Sequence, residues 1–224
     1  MSPTEQIECF LSPQSEPSDA RYQCFNTGGV EVEVGEFLYG LVRMLKPTRM
    51  LETGTHKGIS ASYIGLALKA NGHGTVTTVE HFAENVRESG ELFAKLQIQK
   101  QVEQVHGDAA EFNWTRAEAI DILFLDTEPQ TRFAELLRFE PKVKAGGMIL
   151  VHDLHYHLSQ IVVPNLGFGW PYGRIPEQLA RMIREGRLRL VHFRTPRGLT
   201  LFYKAAYEDY GEQRPSCRSG NSTP

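Results

Sequence analysis

The stretch Leu51-Glu52-Thr53-Gly54-Thr55-His56-Lys57-Gly58-Ile59-Ser60 constrains this chain more than any other. Met50 and Leu51 are apolar, Glu52 ends that run, and Gly54 and Gly58 are separated by three residues. The sequence from Ile59 onward has helical spacing. This is a strand, a tight glycine-dependent turn and a helix start, the juncture at which open α/β sheets bind nucleotide-like cofactors. The pattern is E-x-G-x-x-x-G, whereas dinucleotide folds carry G-x-G-x-x-G. A pyrophosphate needs several bare amides at a helix N-terminus. S-adenosylmethionine (SAM) has no phosphate, so one close backbone approach and a carboxylate near its ammonium group suffice. The spacing leans towards SAM and away from NAD.

The rest of the chain supplies the sheet that such a turn requires. Phe37, Leu38, Leu41, Val42 and Leu45 recur at helical spacing, and Lys46-Pro47 ends that helix. Strands are predicted at residues 49–52, 75–79, 102–106, 120–126 and 148–151, with helices at 59–70, 83–96 and 131–139. Residues 120–126 form a nearly unbroken apolar run, as a buried parallel strand requires. Alternating strands and helices predict an α/β fold with a doubly wound, mostly parallel sheet. Residues 188–193 and 199–203 alternate around Pro196-Arg197-Gly198 and predict a C-terminal antiparallel hairpin, with one antiparallel strand at the sheet edge. The expected organisation is a lead-in at 1–30, one domain at 31–207 and a disordered tail at 208–224.

Ligands in such sheets lie beyond the carboxyl ends of the strands. The five parallel strands end in or run into Glu52, Glu80, Asp108, Asp126 and Asp153. Any one of these acids has a capping role as its plain alternative; all five together, after a glycine turn, indicate a site. Glu80 is placed to accept hydrogen bonds from both ribose hydroxyls of a nucleoside, and Asp108 is placed near an adenine edge.

With these residues in view, the chain resembles the class I SAM-dependent methyltransferases. More narrowly, it resembles the caffeoyl-CoA and catechol O-methyltransferase group. The resemblance covers about residues 30 to 155. It rests on Val34-Gly35-Glu36-Phe37-Leu38, Leu51-Glu52-Thr53-Gly54-Thr55, Gly58-Ile59-Ser60, Leu125-Asp126-Thr127-Glu128, Lys144-Ala145-Gly146-Gly147 and His152-Asp153. It implies a seven-stranded Rossmann-like sheet, SAM as cofactor and a small-molecule hydroxyl as acceptor. Glu52, Gly54 and Ser60 would hold the methionine end, Glu80 the ribose, and Asp108 and Ala109 would lie near adenine. The implied cofactor set also takes in Thr55, Gly58, His81 and Asp126. Asp126 and Asp153 would match two ligands of a divalent cation such as Mg²⁺, with Glu128 as a third.

Two departures bear on that cation. Leu154 stands where the group has an asparagine ligand, and Pro129 stands where it has a lysine. The segment His152-Asp153-Leu154-His155-Tyr156-His157 offers nitrogen ligands instead, which suit softer metals. Sugar and antibiotic-tailoring O-methyltransferases show a similar His-Asp pair. A metal or a histidine base would lower the barrier to deprotonating the acceptor. Asp126, Asp153, His152 and His155 are therefore the candidate catalytic residues.

Composition narrows the partners. The net charge of −3 excludes the basic surplus that general nucleic-acid binding wants. No apolar run approaches the roughly 20 residues of a membrane span, and the N-terminus lacks the features of a secretory signal. The three cysteines have no metal-ligand spacing, so reduced thiols in a cytoplasmic protein are expected. Two local features point to the acceptor. Residues 165–173 are glycine- and aromatic-rich and would suit a lid over a ring or sugar. Eight basic residues (Arg174, Arg181, Arg184, Arg187, Arg189, Arg194, Arg197, Lys204) against two acids form either a solvated face or a surface for an anionic acceptor. The resemblance also implies a homodimer. The alternatives to hydroxyl methylation are an N-methyltransferase on the same scaffold and a non-catalytic SAM-binding protein.

Overall fold

A computed structural model describes residues 1–128, 131–153 and 177–206. A seven-stranded sheet forms its centre, built from β3 (Arg49–Thr53), β4 (Thr75–Glu80), β5 (Val102–His106), β6 (Ile120–Leu125), β7 (Val143–His152), β8 (Leu188–Phe193) and β9 (Leu199–Lys204). The strand order is β5-β4-β3-β6-β7-β9-β8. The first five are parallel, and β9 runs antiparallel to both of its neighbours. The predicted hairpin is present, with one correction. The antiparallel strand lies one place in from the edge, and β8 takes the edge. Alternation explains this: Leu199 and Phe202 of β9 are fully buried, whereas β8 alternates buried and exposed positions and exposes Val191.

Side chains alternate across each central strand and are buried on both faces, as a sheet covered by helices demands. Met50, Ile122, Phe124 and Leu150 join one core, against α2 (Val32–Leu45), α3 (Ile59–Asn71) and α4 (Ala83–Leu96). Leu51, Leu123, Leu125 and Ile149 join the other, against α5 (Arg132–Phe139) and α6 (Glu177–Arg184). From Ile59 to Leu68 every residue of α3 is buried, because α2 and α4 flank it.

Residues 1–30, read above as a lead-in, carry α1 (Pro3–Glu8) and a hairpin of β1 (Pro13–Glu16) and β2 (Asp19–Phe25). The segment is polar in composition, but its few apolar residues do the packing. Ile7, Phe25 and Val30 are fully buried in the first core. Among the described residues no helix is long and apolar enough to cross a membrane. The lid expected at 165–173 and the tail at 208–224 lie outside the described residues.

Candidate active site

The carboxyl ends of β3, β4, β6 and β7 open onto a cavity of about 550 Å³. Register aligns them: Thr53 pairs with Val79 and Leu125, and Leu125 pairs with Val151. The next residues along β4, β6 and β7 are Glu80, Asp126 and His152.

On the β3–β4 side the turn is locked by close approach. Gly54 has φ +86°, and a Cβ there would sit 2.4 Å from the Asp126 carbonyl oxygen. Gly58 has φ +80°, and a Cβ there would meet Phe93 and Ser89 at 2.8 Å. Both positions therefore exclude other side chains on conformational and steric grounds. Between them, the His56 N–H donates to one oxygen of Glu80 at 2.7 Å. The other oxygen accepts from the Phe82 N–H at 2.8 Å and the Asn85 amide at 3.2 Å. Glu80 thus fastens the turn to the end of β4 while lining the cavity.

Glu52 lies beneath the turn, fully buried. Thr78 donates to one of its oxygens, and the other oxygen is buried without a partner. Burial pushes its carboxyl up to about 7; the Ser60 and Thr78 hydroxyls partly offset this, and the nearby charges of Asp126 and Glu80 add to it. A buried carboxylate oxygen without a partner, beneath a turn that Gly54 brings to the cavity, fits a cationic, phosphate-free cofactor.

The far side of the cavity is built differently. Asp126 Oδ1 accepts from His152 Nδ1 at 3.0 Å and from Arg132 Nη2 at 3.2 Å. Arg132 Nη2 also donates to Asp153 Oδ2 at 3.2 Å. Arg197 forks onto Asp153, with Nε 2.9 Å from Oδ1 and Nη2 3.0 Å from Oδ2. The Arg197 backbone N–H donates to Glu31 Oε1 at 3.0 Å, and His152 Nε2 lies 2.7 Å from Glu31 Oε2. Glu31, His152, Asp126, Arg132, Asp153 and Arg197 therefore close a ring of alternating charge. Glu31 and His152 are fully buried, and Arg132 is 2% exposed.

Burial opposes the charges of His152, Glu31, Asp153 and Arg197, and their partners override it. His152 is pushed up to about 10 by the charge and hydrogen bond of Asp126, with Glu31 and Asp153 adding to them. Glu31 is held down at about 2 by the hydrogen bond and charge of His152. Asp153 is lowered by the charges of His152, Arg197 and Arg132.

The ring also tests the metal expectation. Asp126, His152 and Asp153 bring one ligand atom each within 4.8 Å of one another. However, both His152 nitrogens face carboxylates, and both Asp153 oxygens accept from guanidinium groups. A hard cation wants several free oxygens. The residues as arranged do not fit one.

Of the sequence-predicted residues, Gly54, Glu80, His81, Asp108, Ala109, Asp126, Glu128 and Asp153 line the cavity. Glu52, Thr55, Ser60 and His152 are buried, and Gly58 packs against α4. Asp108 caps its own loop by accepting from the Ala110 N–H at 2.8 Å. His155 lies outside the described residues.

Sequence reasoning missed Glu31, Arg132 and Glu135. Glu135 is 4% exposed and accepts from Thr53 at 2.7 Å and Thr127 at 2.8 Å. It also misplaced Arg197, expected on a basic surface. Other members of that basic set do pair at the surface: Arg181 and Arg187 with Glu185, and Arg184 with Glu177.

Comparison with known proteins agrees with this fold. No curated protein matches the chain. Residues 51–154 match the model of a methyltransferase domain. Among solved structures, the O-methyltransferase from Bacillus cereus in complex with SAH is 20% identical, with a TM-score of 0.62; the match covers 79% of this chain and 82% of that one. TomG, an O-methyltransferase from Streptomyces achromogenes in complex with SAM, is 18% identical over 80% and 82% of the two chains, with a TM-score of 0.61. The SAH-bound Podospora anserina methyltransferase PaMTH1 is 18% identical over 91% and 94%, with a TM-score of 0.62. Residues 51–154 match a methyltransferase domain, and the sheet that holds them has the fold of these solved methyltransferases.

Proposed function

We propose that this chain transfers the methyl group of SAM to a hydroxyl of a small molecule. One observation carries the reading: Glu80, at the end of β4, lines the same cavity as Gly54, and its carboxylate accepts from His56 of the turn and from Phe82 and Asn85 at the start of α4. A carboxylate has about four acceptor sites, so Glu80 retains capacity for a ribose hydroxyl. The SAM and SAH held by the structural neighbours support the cofactor. When bound, SAM supplies an activated methyl on a sulfonium, whose C–S bond breaks as the acceptor oxygen bonds the methyl carbon.

The chain's own residues bind, orient and take a proton. Glu52 offers its unpartnered oxygen to the ammonium end, beside Thr55, Gly58 and Ser60. His81, Asp108 and Ala109 wall the adenine side, where Arg138 braces the loop by donating to the Ala109 carbonyl at 2.9 Å. Asp126 and Asp153 stand on the acceptor side, where Asp126, engaged by Arg132 and His152 through Oδ1, takes the hydroxyl proton on Oδ2 as the bond forms. His152, with both nitrogens engaged, orients Asp126 and accepts no proton.

Calorimetric titration of SAM into the purified protein tests the reading. Wild type is expected to bind. Glu80→Ala loses charged hydrogen bonds worth about 1.5–3 kcal/mol, roughly tenfold to a hundredfold in affinity. Glu80→Gln, which keeps one carbonyl oxygen, should fall between the two. No SAM binding by wild type would overturn the assignment.

A further inference from the structure

The sequence places two aspartates where related enzymes hold a divalent cation, and the structure puts two guanidinium groups there instead. We propose that Arg132 and Arg197 stand in place of that cation, and that this chain transfers methyl groups without a divalent metal.

Charge balance is the first ground. Around the ring the carboxylates of Glu31, Asp126 and Asp153 alternate with Arg132, Arg197 and His152, three of each sign. A dication added to Asp126 and Asp153 would leave a buried surplus of positive charge, which is costly unless paired. The second ground is geometry. Arg197 engages both Asp153 oxygens in the planar fork that suits a carboxylate. Arg132 bridges Asp126 and Asp153 with one nitrogen and donates to the His152 carbonyl with another. It is therefore pinned from three sides and cannot swing out as a solvated arginine could. The third ground is covalent connection: Arg197 lies in the β8–β9 turn, and its own backbone N–H ties that turn to Glu31. Displacing its side chain would leave Asp153 facing the same turn with its fork empty.

This inference rests on reading the cavity as a methyl-transfer site, but its test does not. The purified full-length protein is treated with EDTA, desalted and titrated with Mn²⁺, free Mn²⁺ being read by electron paramagnetic resonance. Wild type is expected to show no saturable binding at the Asp126–Asp153 pair. Arg197→Ala removes both of its bonds to Asp153, freeing Oδ1 while Oδ2 keeps only Arg132, and is expected to gain a site at least about tenfold tighter than any in wild type. Arg197→Lys, which keeps the charge, should gain none. Saturable 1:1 binding by wild type that disappears in Asp153→Asn would overturn the proposal, as would failure of a folded Arg197→Ala to gain a site. If Arg197→Ala shows no melting transition, the wild-type titration alone decides. Failure of SAM to bind would break the functional reading and leave this result standing.

Discussion

The turn at residues 54–58 and the ring of charges around His152 face the same cavity, yet they are specified on different scales. The turn is local. Its two glycines, the left-handed His56 and the Glu80 that anchors it come from one β–α–β unit of about thirty residues. The ring is global. Glu31 precedes α2, Asp126 follows β6, Arg132 opens α5, His152 ends β7 with Asp153 directly after it, and Arg197 sits in the closing hairpin. A local device tolerates no change of backbone, because its atoms are already at contact distance. A global device tolerates small movements but no change in its count of charges. The turn is therefore a steric construction and the ring an electrostatic one.

The largest effect that would break this contrast is steric. Gly54→Ala forces a Cβ to 2.4 Å from a backbone oxygen at a positive φ, and neither neighbour is a flexible side chain. The cost is expected to exceed about 4 kcal/mol, the range reserved for a clash inside a packed core. Gly72→Ala is the control: φ is +77° and a Cβ would meet nothing within 4 Å. Only left-handed strain of about 1–2 kcal/mol is expected there. Thermal unfolding of both variants separates the clash from the strain. If they melt together, close approach is not what specifies the turn.

Next in size is an electrostatic break in the ring. Glu31→Ala leaves His152 with one partner and a buried charge half-compensated, which costs roughly 3–5 kcal/mol. For a chain of this length that is about 2–4 °C of melting temperature per kcal/mol. The pH dependence gives a second readout. The folded His152 is raised to about 10 from an ordinary 6.5. Its contribution is full below about pH 6.5 and is lost as pH rises through 10. Melting temperature should therefore fall on the alkaline side in wild type, and Glu31→Ala should flatten that fall. An alkaline limb identical in both would remove Glu31 from the ring.

The same contrast decides what was legible in the sequence. Gly54, Gly58 and Glu80 could be read because strand, turn and helix lie in one contiguous stretch, where periodicity and glycine spacing carry the information. The parallel order followed from residues 120–126, whose apolar run can be satisfied only between two covered faces. Glu31, Arg132 and Arg197 could not be read the same way, since what buries each is a partner distant in sequence. Arg197 looked like a hairpin residue among seven other basic ones. Glu31 left no trace, since Glu33 stands in the same Val-Glu-Val setting and is not buried. Arg132 and Glu135 did leave one, since they stand beside the buried Phe133 and Leu136 on a short helix. The N-terminal segment misled by composition, because four buried apolar residues, Ile7, Cys24, Phe25 and Val30, are enough to seat a mostly polar segment.

The smallest predicted effect joins the two constructions through one proton. Glu52 is raised to about 7 by burial, with Asp126 and Glu80 as neighbouring charges. A cationic cofactor beside its unpartnered oxygen would favour the ionised form and lower that value. SAM binding near pH 7 should therefore release up to one proton, and affinity should rise with pH until it levels above about 7. Between pH 8 and pH 6 the loss is expected to reach about tenfold at most, or 1.4 kcal/mol. The same raised value has the opposite sign for the free protein. The Glu52 contribution to stability is full below about pH 4.5 and is lost as pH rises through 7, so SAM protects most where the free protein is weakest. Calorimetry in buffers of different ionisation enthalpy counts the proton directly. Glu52→Gln removes the titrating group with little change of volume and should abolish the release. If Glu52→Gln keeps the wild-type proton count, the proton comes from elsewhere and Glu52 does not face the cofactor's ammonium.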